Sequence, residues 1–135
     1  MGDAEQRNKD LVRRLHTDVV GGRDLDRLGE FFAEDFESHN LPPGLPPGVA
    51  GVRAFFSVFA EALEDLSVTI DVQLAEGDLV AVRTTTRGRQ VGALPGLEPS
   101  GEEVAVDAVD ILRVADGRIA EHWGLTNVPR APASP

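Results

Sequence analysis

The spacing of apolar positions changes character halfway along the chain. Over the first half they recur every three or four residues. Leu11, Leu15 and Val19, with Val12 beside them, form an i, i+4 stripe that predicts a helix over residues 4–20. Asp3 can cap it and Gly21-Gly22 ends it. Asp24 can cap a second, short helix through Phe32, with Leu25, Leu28, Phe31 and Phe32 on its inner side. A short strand is predicted at Phe36–His39, then a rigid loop at residues 41–48, where four prolines forbid a helix and two glycines permit turns. A third helix, roughly residues 49–64, carries Val52, Phe55, Phe56, Phe59 and Leu63.

Beyond Leu63 the period becomes two. Residues 67–75 alternate, Glu76-Gly77-Asp78 turns, and residues 79–87 alternate again, which is a hairpin. A Gly/Pro-rich loop spans residues 88–101. Residues 103–115, the turn Asp116-Gly117 and residues 118–127 make a second hairpin. Helices followed by a run of strands predict an α+β fold, a curved sheet wrapped over three helices with a pocket between the layers. The expected division is one domain over residues 1–128 and a flexible tail at 129–135, rich in Pro and Ala.

Composition narrows the function. The chain has 135 residues, of which 41% are hydrophobic, and a formal net charge of -10. That charge argues against binding a nucleic-acid backbone or docking on an anionic membrane. No cysteine is present, so disulfides, thiolate nucleophiles and Cys-based metal sites are excluded. The three histidines, His16, His39 and His122, do not stand at metal-motif spacing. The polar N-terminus carries no signal-peptide pattern, and no run of apolar residues is long enough to span a bilayer, so a cytoplasmic protein is expected.

One residue breaks the pattern. If Asp116-Gly117 is a two-residue turn, Ala115 pairs with Arg118, Val114 faces Ile119, Leu112 faces Glu121 and Asp110 faces Trp123. Asp110 then sits among Val106, Ala108, Leu112 and Trp123, where lost solvation favours its neutral form and makes it a better base. The plain alternative is a sheet-edge carboxylate bonded to Arg83 or Arg113. The same register puts His122 and Asp107 on the opposite face, gives Trp123 a place in the core or the pocket wall, and leaves His39 at the pocket mouth. His16, at the border of its helical stripe, is expected to have a packing role.

Residues 88–127 also carry a motif. Gly88, Gln90, Gly92, Gly96, Pro99 and Gly101 precede Asp110-Ile111-Leu112-Arg113, and Asp116-Gly117-Arg118-Ile119-Ala120-Glu121-His122-Trp123 follows. Upstream stand Ser38-His39-Asn40 and the hairpin Glu76-Gly77-Asp78-Leu79-Val80-Ala81. In this order the elements resemble the SnoaL-like polyketide cyclases of the nuclear-transport-factor-two-like superfamily, over about residues 8–128. The resemblance implies a cone-shaped α+β barrel with a deep apolar pocket. It further implies a cofactor-free, metal-free intramolecular aldol ring closure on a polycyclic aromatic substrate in secondary metabolism, and a homodimer or higher homo-oligomer. The matching acidic position is Asp110, which takes the base role. Gln90 stands where the family pattern has histidine, so the carbonyl donor would be Gln90, His39 or His122. Asn40, Phe55, Phe56, Phe59, Trp123 and Asn127 are the expected substrate contacts. A hydroxylase or other tailoring enzyme, or a non-catalytic ligand-binding domain, on the same scaffold is the alternative.

Overall fold

The computed structural model describes residues 2–41 and 43–127; the tail expected at 129–135 lies outside them. Helix α1 covers Asp3–Arg14 and continues into a wider π-helical turn at Leu15–Val20, where the Gly21 amide donates to the His16 carbonyl five residues back. The first helical pattern is thus one continuous stripe on two geometries. The second predicted helix is a 3₁₀ turn, Leu25–Glu30. Strand β1, Phe32–Ser38, begins four residues before the predicted start, since Phe32 and Phe36 both face the core and Phe32 pairs with Ile119. Helix α2, Val49–Ala62, runs without a loop into β2, Leu63–Glu76. Strands β3 (Leu79–Gln90), β4 (Glu103–Ala115) and β5 (Arg118–Asn127) complete the chain.

The five strands form one curved sheet in the order β1-β5-β4-β3-β2. β1 runs parallel to β5, and every other pair is antiparallel. The sheet wraps over the helices as expected but stops short of closing into a barrel. One apolar core joins Leu11, Val12, Leu15 and Val19 of the first helical segment to Val80, Val82, Leu112, Val114 and Ile119 of the sheet. A second core, around Phe59, Ala62, Leu63, Leu94, Leu97 and Val106, fastens the loop after β3 to the end of α2.

The β4–β5 pairing departs from the expected register. Ala115 pairs with Arg118 and Val114 with Ile119, as the turn requires, but the next pair is Arg113 with Glu121. Ala120 is therefore an extra residue, a β-bulge, and every later partner on β5 shifts by one. Asp110 pairs with Gly124, Ile111 with Trp123 and Leu112 with His122. A one-residue slip exchanges the two faces of a strand. His122 is thus brought to the inner face with Asp110, and Trp123 is sent to the outer one.

Candidate active site

A cavity of about 360 Å³ lies between the helices and the inner face of the sheet. Its walls are mainly apolar: Phe55, Phe56 and Phe59 from α2, Phe32 and Phe36 from β1, and Leu112 from β4 are among them. Polar groups come mostly from the sheet side, where Thr84, Thr86, Asp110 and His122 reach the same space, with Asn40 at the rim.

Within this wall Asp110 Oδ1 lies 2.6 Å from His122 Nε2. His122 Nδ1 lies 2.9 Å from Ser38 Oγ. Both members of the first pair are largely buried, with side chains 15% and 17% exposed. With a neutral imidazole, Ser38 donates to Nδ1 and Nε2–H donates to Asp110, so the carboxylate is held as an acceptor with its second oxygen left over. Ser38 is not part of the cavity wall. The hydrogen-bonded chain runs from the cavity at Asp110 outward to Ser38, which places the carboxylate, not the hydroxyl, where a ligand can reach. Among the described residues Asp110 is bonded to no arginine: Arg83 meets Asp71 and Asp107, and Arg113 meets Glu121.

Two further residues hold this arrangement. A side chain at Gly124 would overlap both Asp110 Oδ1 and His122 Nε2. The glycine is needed there for space, not for a left-handed backbone, since its φ is not positive. The Gly124 amide in turn donates to Asn40 Oδ1 at 3.0 Å, which anchors the rim loop to β5.

The other residues singled out from sequence fall into two sets. Asn40, Phe55, Phe56 and Phe59 line the cavity with Asp110 and His122. Gln90, His39, Trp123 and Asn127 do not. Gln90 is fully buried, and its side-chain amide donates to the Gly92 and Leu97 carbonyls, 3.1 and 2.9 Å away, so it pins the loop after β3. His39 and Trp123 stack on each other, ring centroids 4.9 Å apart, on the outer face. His39 Nε2 also meets Glu121 Oε2 at 2.7 Å, and Arg113 meets the other Glu121 oxygen at 2.9 Å. The guanidinium, and then His39, hold the Glu121 carboxyl below the usual range. Asn127, exposed at the end of β5, pairs with Asp107 across the strands. Among the described residues, Glu37, His39 and Glu121 bring three potential metal-ligand atoms within 4.8 Å of one another. Glu121 there is already engaged by Arg113, which opposes a cation.

Sequence reasoning missed Ser38, Phe32, Phe36, Thr84 and Thr86, and gave His16 only a packing role. Alternation along β3 carries the signal for the threonines, because Thr84 and Thr86 continue the inward-facing series of Val80 and Val82.

A three-segment helical layer over a curved sheet, enclosing a half-buried aspartate–histidine pair in the wall of an apolar cavity, defines a small pocket-bearing α+β protein. Residues 10–130 match the family of SnoaL-like polyketide cyclases, and the chain belongs to that family. Among solved structures it is similar to TsrD from Streptomyces laurentii, with 30% identity, a TM-score of 0.75, and coverage of 93% of this chain and 90% of that one. A candidate SnoaL-like polyketide cyclase from a Jannaschia species gives 30% identity, a TM-score of 0.79, and coverage of 93% and 89%. AclR from Streptomyces galilaeus, a candidate hydroxylase, shares the fold with a TM-score of 0.81 at 23% identity, covering 97% and 90%. No curated protein sequence matches the chain.

Proposed function

We propose that this protein is a cofactor-free cyclase that closes a ring of an aromatic polyketide by intramolecular aldol condensation, as a tailoring step in secondary metabolism. The observation that carries this reading is the Asp110–His122 pair, 2.6 Å apart, in the wall of an apolar cavity of about 360 Å³. The volume falls within the range of small-molecule sites. A flat polycyclic substrate would lie against the α2 phenylalanines with its acidic carbon turned to the free oxygen of Asp110. Asp110 removes the proton from that carbon. The enolate carbon attacks the ketone or aldehyde carbon of the same molecule, and the new alkoxide takes the proton back from the Asp110 carboxyl. His122 fixes the other carboxylate oxygen throughout and acts as a positioning residue. The delocalised enolate supplies much of the stabilisation, so the protein chiefly orients and shields the substrate.

Family membership supports the reaction class. Among the described residues no arginine locks Asp110, and this, with a cavity of adequate size, favours catalysis over a purely ligand-binding role. The test is ring closure of a planar polyketide ester, followed by chromatography. The wild type is expected to form the cyclised isomer with no oxygen consumed, and Asp110→Asn is expected to bind the ester without closing it. Substrate-dependent oxygen uptake would favour the hydroxylase alternative, and equal turnover by Asp110→Asn would remove Asp110 as the base.

A homodimer is part of the proposal. Leu74, Ile111 and Trp123 form one row across the outer sheet face, and Val72, Val109 and Leu125 lie in the next. Leu125 is 77% and Leu74 65% exposed. A second copy of the same face would cover them, as in a symmetric dimer.

A further inference from the structure

The helical layer contributes Leu15, Val20, Val52 and the three α2 phenylalanines to the cavity, all apolar, and one polar side chain, His16. His16 is 7% exposed and stands in the π-helical turn, a geometry that recurs at functional sites. Its Nδ1 lies 2.9 Å from the Val12 carbonyl. A carbonyl oxygen only accepts, so the hydrogen sits on Nδ1. Nε2 has no hydrogen-bond partner among the described residues. His16 lines the cavity, and with Nδ1 engaged by the Val12 carbonyl Nε2 is the ring nitrogen left to meet a ligand there. The titratable groups that share this space are Asp110 and His122, both on the sheet side.

We infer that His16 Nε2 is a hydrogen-bond acceptor for a hydroxyl group on the ligand, on the helical wall of the cavity, while the Asp110–His122 pair stands on the sheet wall. Burial keeps the imidazole neutral, which leaves the Nε2 lone pair bare. Such a site selects a neutral donor and disfavours a carboxylate or an ether oxygen, which would set lone pair against lone pair. The substrate class is thereby narrowed to planar aromatics with a hydroxyl on the helix-facing edge and the acidic carbon on the sheet-facing edge. The inference rests on the aromatic-pocket reading above and deepens it.

The test uses two probes, 2-(hydroxymethyl)anthraquinone and 2-methylanthraquinone, titrated into the full chain. The wild type is expected to bind the alcohol about 5–10-fold more tightly, the worth of one good hydrogen bond. The preference is expected to vanish in His16→Phe and to persist in His16→Gln, which keeps an acceptor. Ring-¹⁵N spectra of wild-type protein labelled at histidine need no variant. They should show one buried imidazole protonated at Nδ1, its Nε2 resonance moving with the alcohol and not with the methyl compound. Equal binding of the two probes, or a preference that survives in His16→Phe with Nε2 unmoved, overturns the inference and leaves the aromatic pocket standing. Failure of both probes to bind overturns the aromatic-pocket reading and this inference with it.

Discussion

Gly124 stands directly across the strands from Asp110, and its missing side chain is the space through which the Asp110 carboxylate reaches His122. Three features converge there: a bulge at Ala120 that sets the register, a glycine that leaves room, and a carboxylate that fills it.

Gly124→Ala tests that relationship. The new methyl would overlap both members of the pair. Because the backbone there suits any residue, the expected stability cost is the modest one of overpacking, about 1–3 kcal/mol. Turnover should fall far more than stability, since the pair must separate. Thermal unfolding and single-turnover rates measured on the same preparation check this, and an unchanged rate would mean that contact between Asp110 and His122 is not required.

His122 and Ser38 should matter in order of their distance from the carboxylate. His122→Phe removes a hydrogen bond to a charged group, worth about 1.5–3 kcal/mol, and so should lower kcat roughly 10–100-fold with little change in KM. Ser38→Ala should cost less than about tenfold, because it only orients the ring. A Ser38 effect larger than that of His122 would point instead to a nucleophilic hydroxyl.

Gln90 should act on the loop and not on the chemistry. Gln90→Met strips the side-chain donor from the half-buried Gly92 carbonyl and from the Leu97 carbonyl, which keeps the Leu94 amide, at a cost of about 0.5–1.5 kcal/mol per lost hydrogen bond. Pro95 of that loop lines the cavity, so KM should rise while kcat holds. Loss of kcat with ligand affinity intact would restore the amide as a carbonyl donor.

The outer face gives a prediction independent of the site. Ile111→Glu puts a charge in the middle of the apolar rows and should yield a monomer in analytical ultracentrifugation with helical content unchanged. A wild type that already sediments as a monomer would contradict the dimer.

Stability should also depend on pH through His16. Its folded pKa is lowered by burial from the ordinary 6.5. The unfolded chain therefore binds more protons over that window, and the stability His16 contributes is present above 6.5 and lost as pH falls. The thermal midpoint should drop as pH falls below the ordinary 6.5, more steeply in wild type than in His16→Phe. Parallel slopes would mean that His16 titrates as it does in the unfolded chain.

The sequence patterns carried the order of elements and the acidic position but not the pairing that completes the site. Period-two alternation is readable when one face of a strand is apolar and the other polar. In β5 both faces are apolar, with Ile119 inward and Trp123 and Leu125 outward, because the outer face itself carries Val109 and Ile111. Hydrophobicity then cannot choose between two registers one residue apart. The simpler register buries Trp123 and expels His122; the bulge at Ala120 does the reverse and has no signature of its own. The π-helical turn at Leu15–Val20 was hidden for a similar reason, since its apolar stripe is the same as that of an α-helix. Asp110 was legible because a carboxylate among Val106, Ala108 and Leu112 stands out in either register.

The most direct test of the central claim is proton removal itself. Anthrone, a planar carbon acid, can be followed by NMR in D₂O as its methylene protons exchange. Wild-type protein is predicted to accelerate exchange roughly a hundred- to ten-thousand-fold, the usual span of general-base catalysis. Asp110→Asn should bind anthrone with similar affinity and return the exchange to the buffer rate. Wild-type exchange rates in Asp110→Asn would contradict the account.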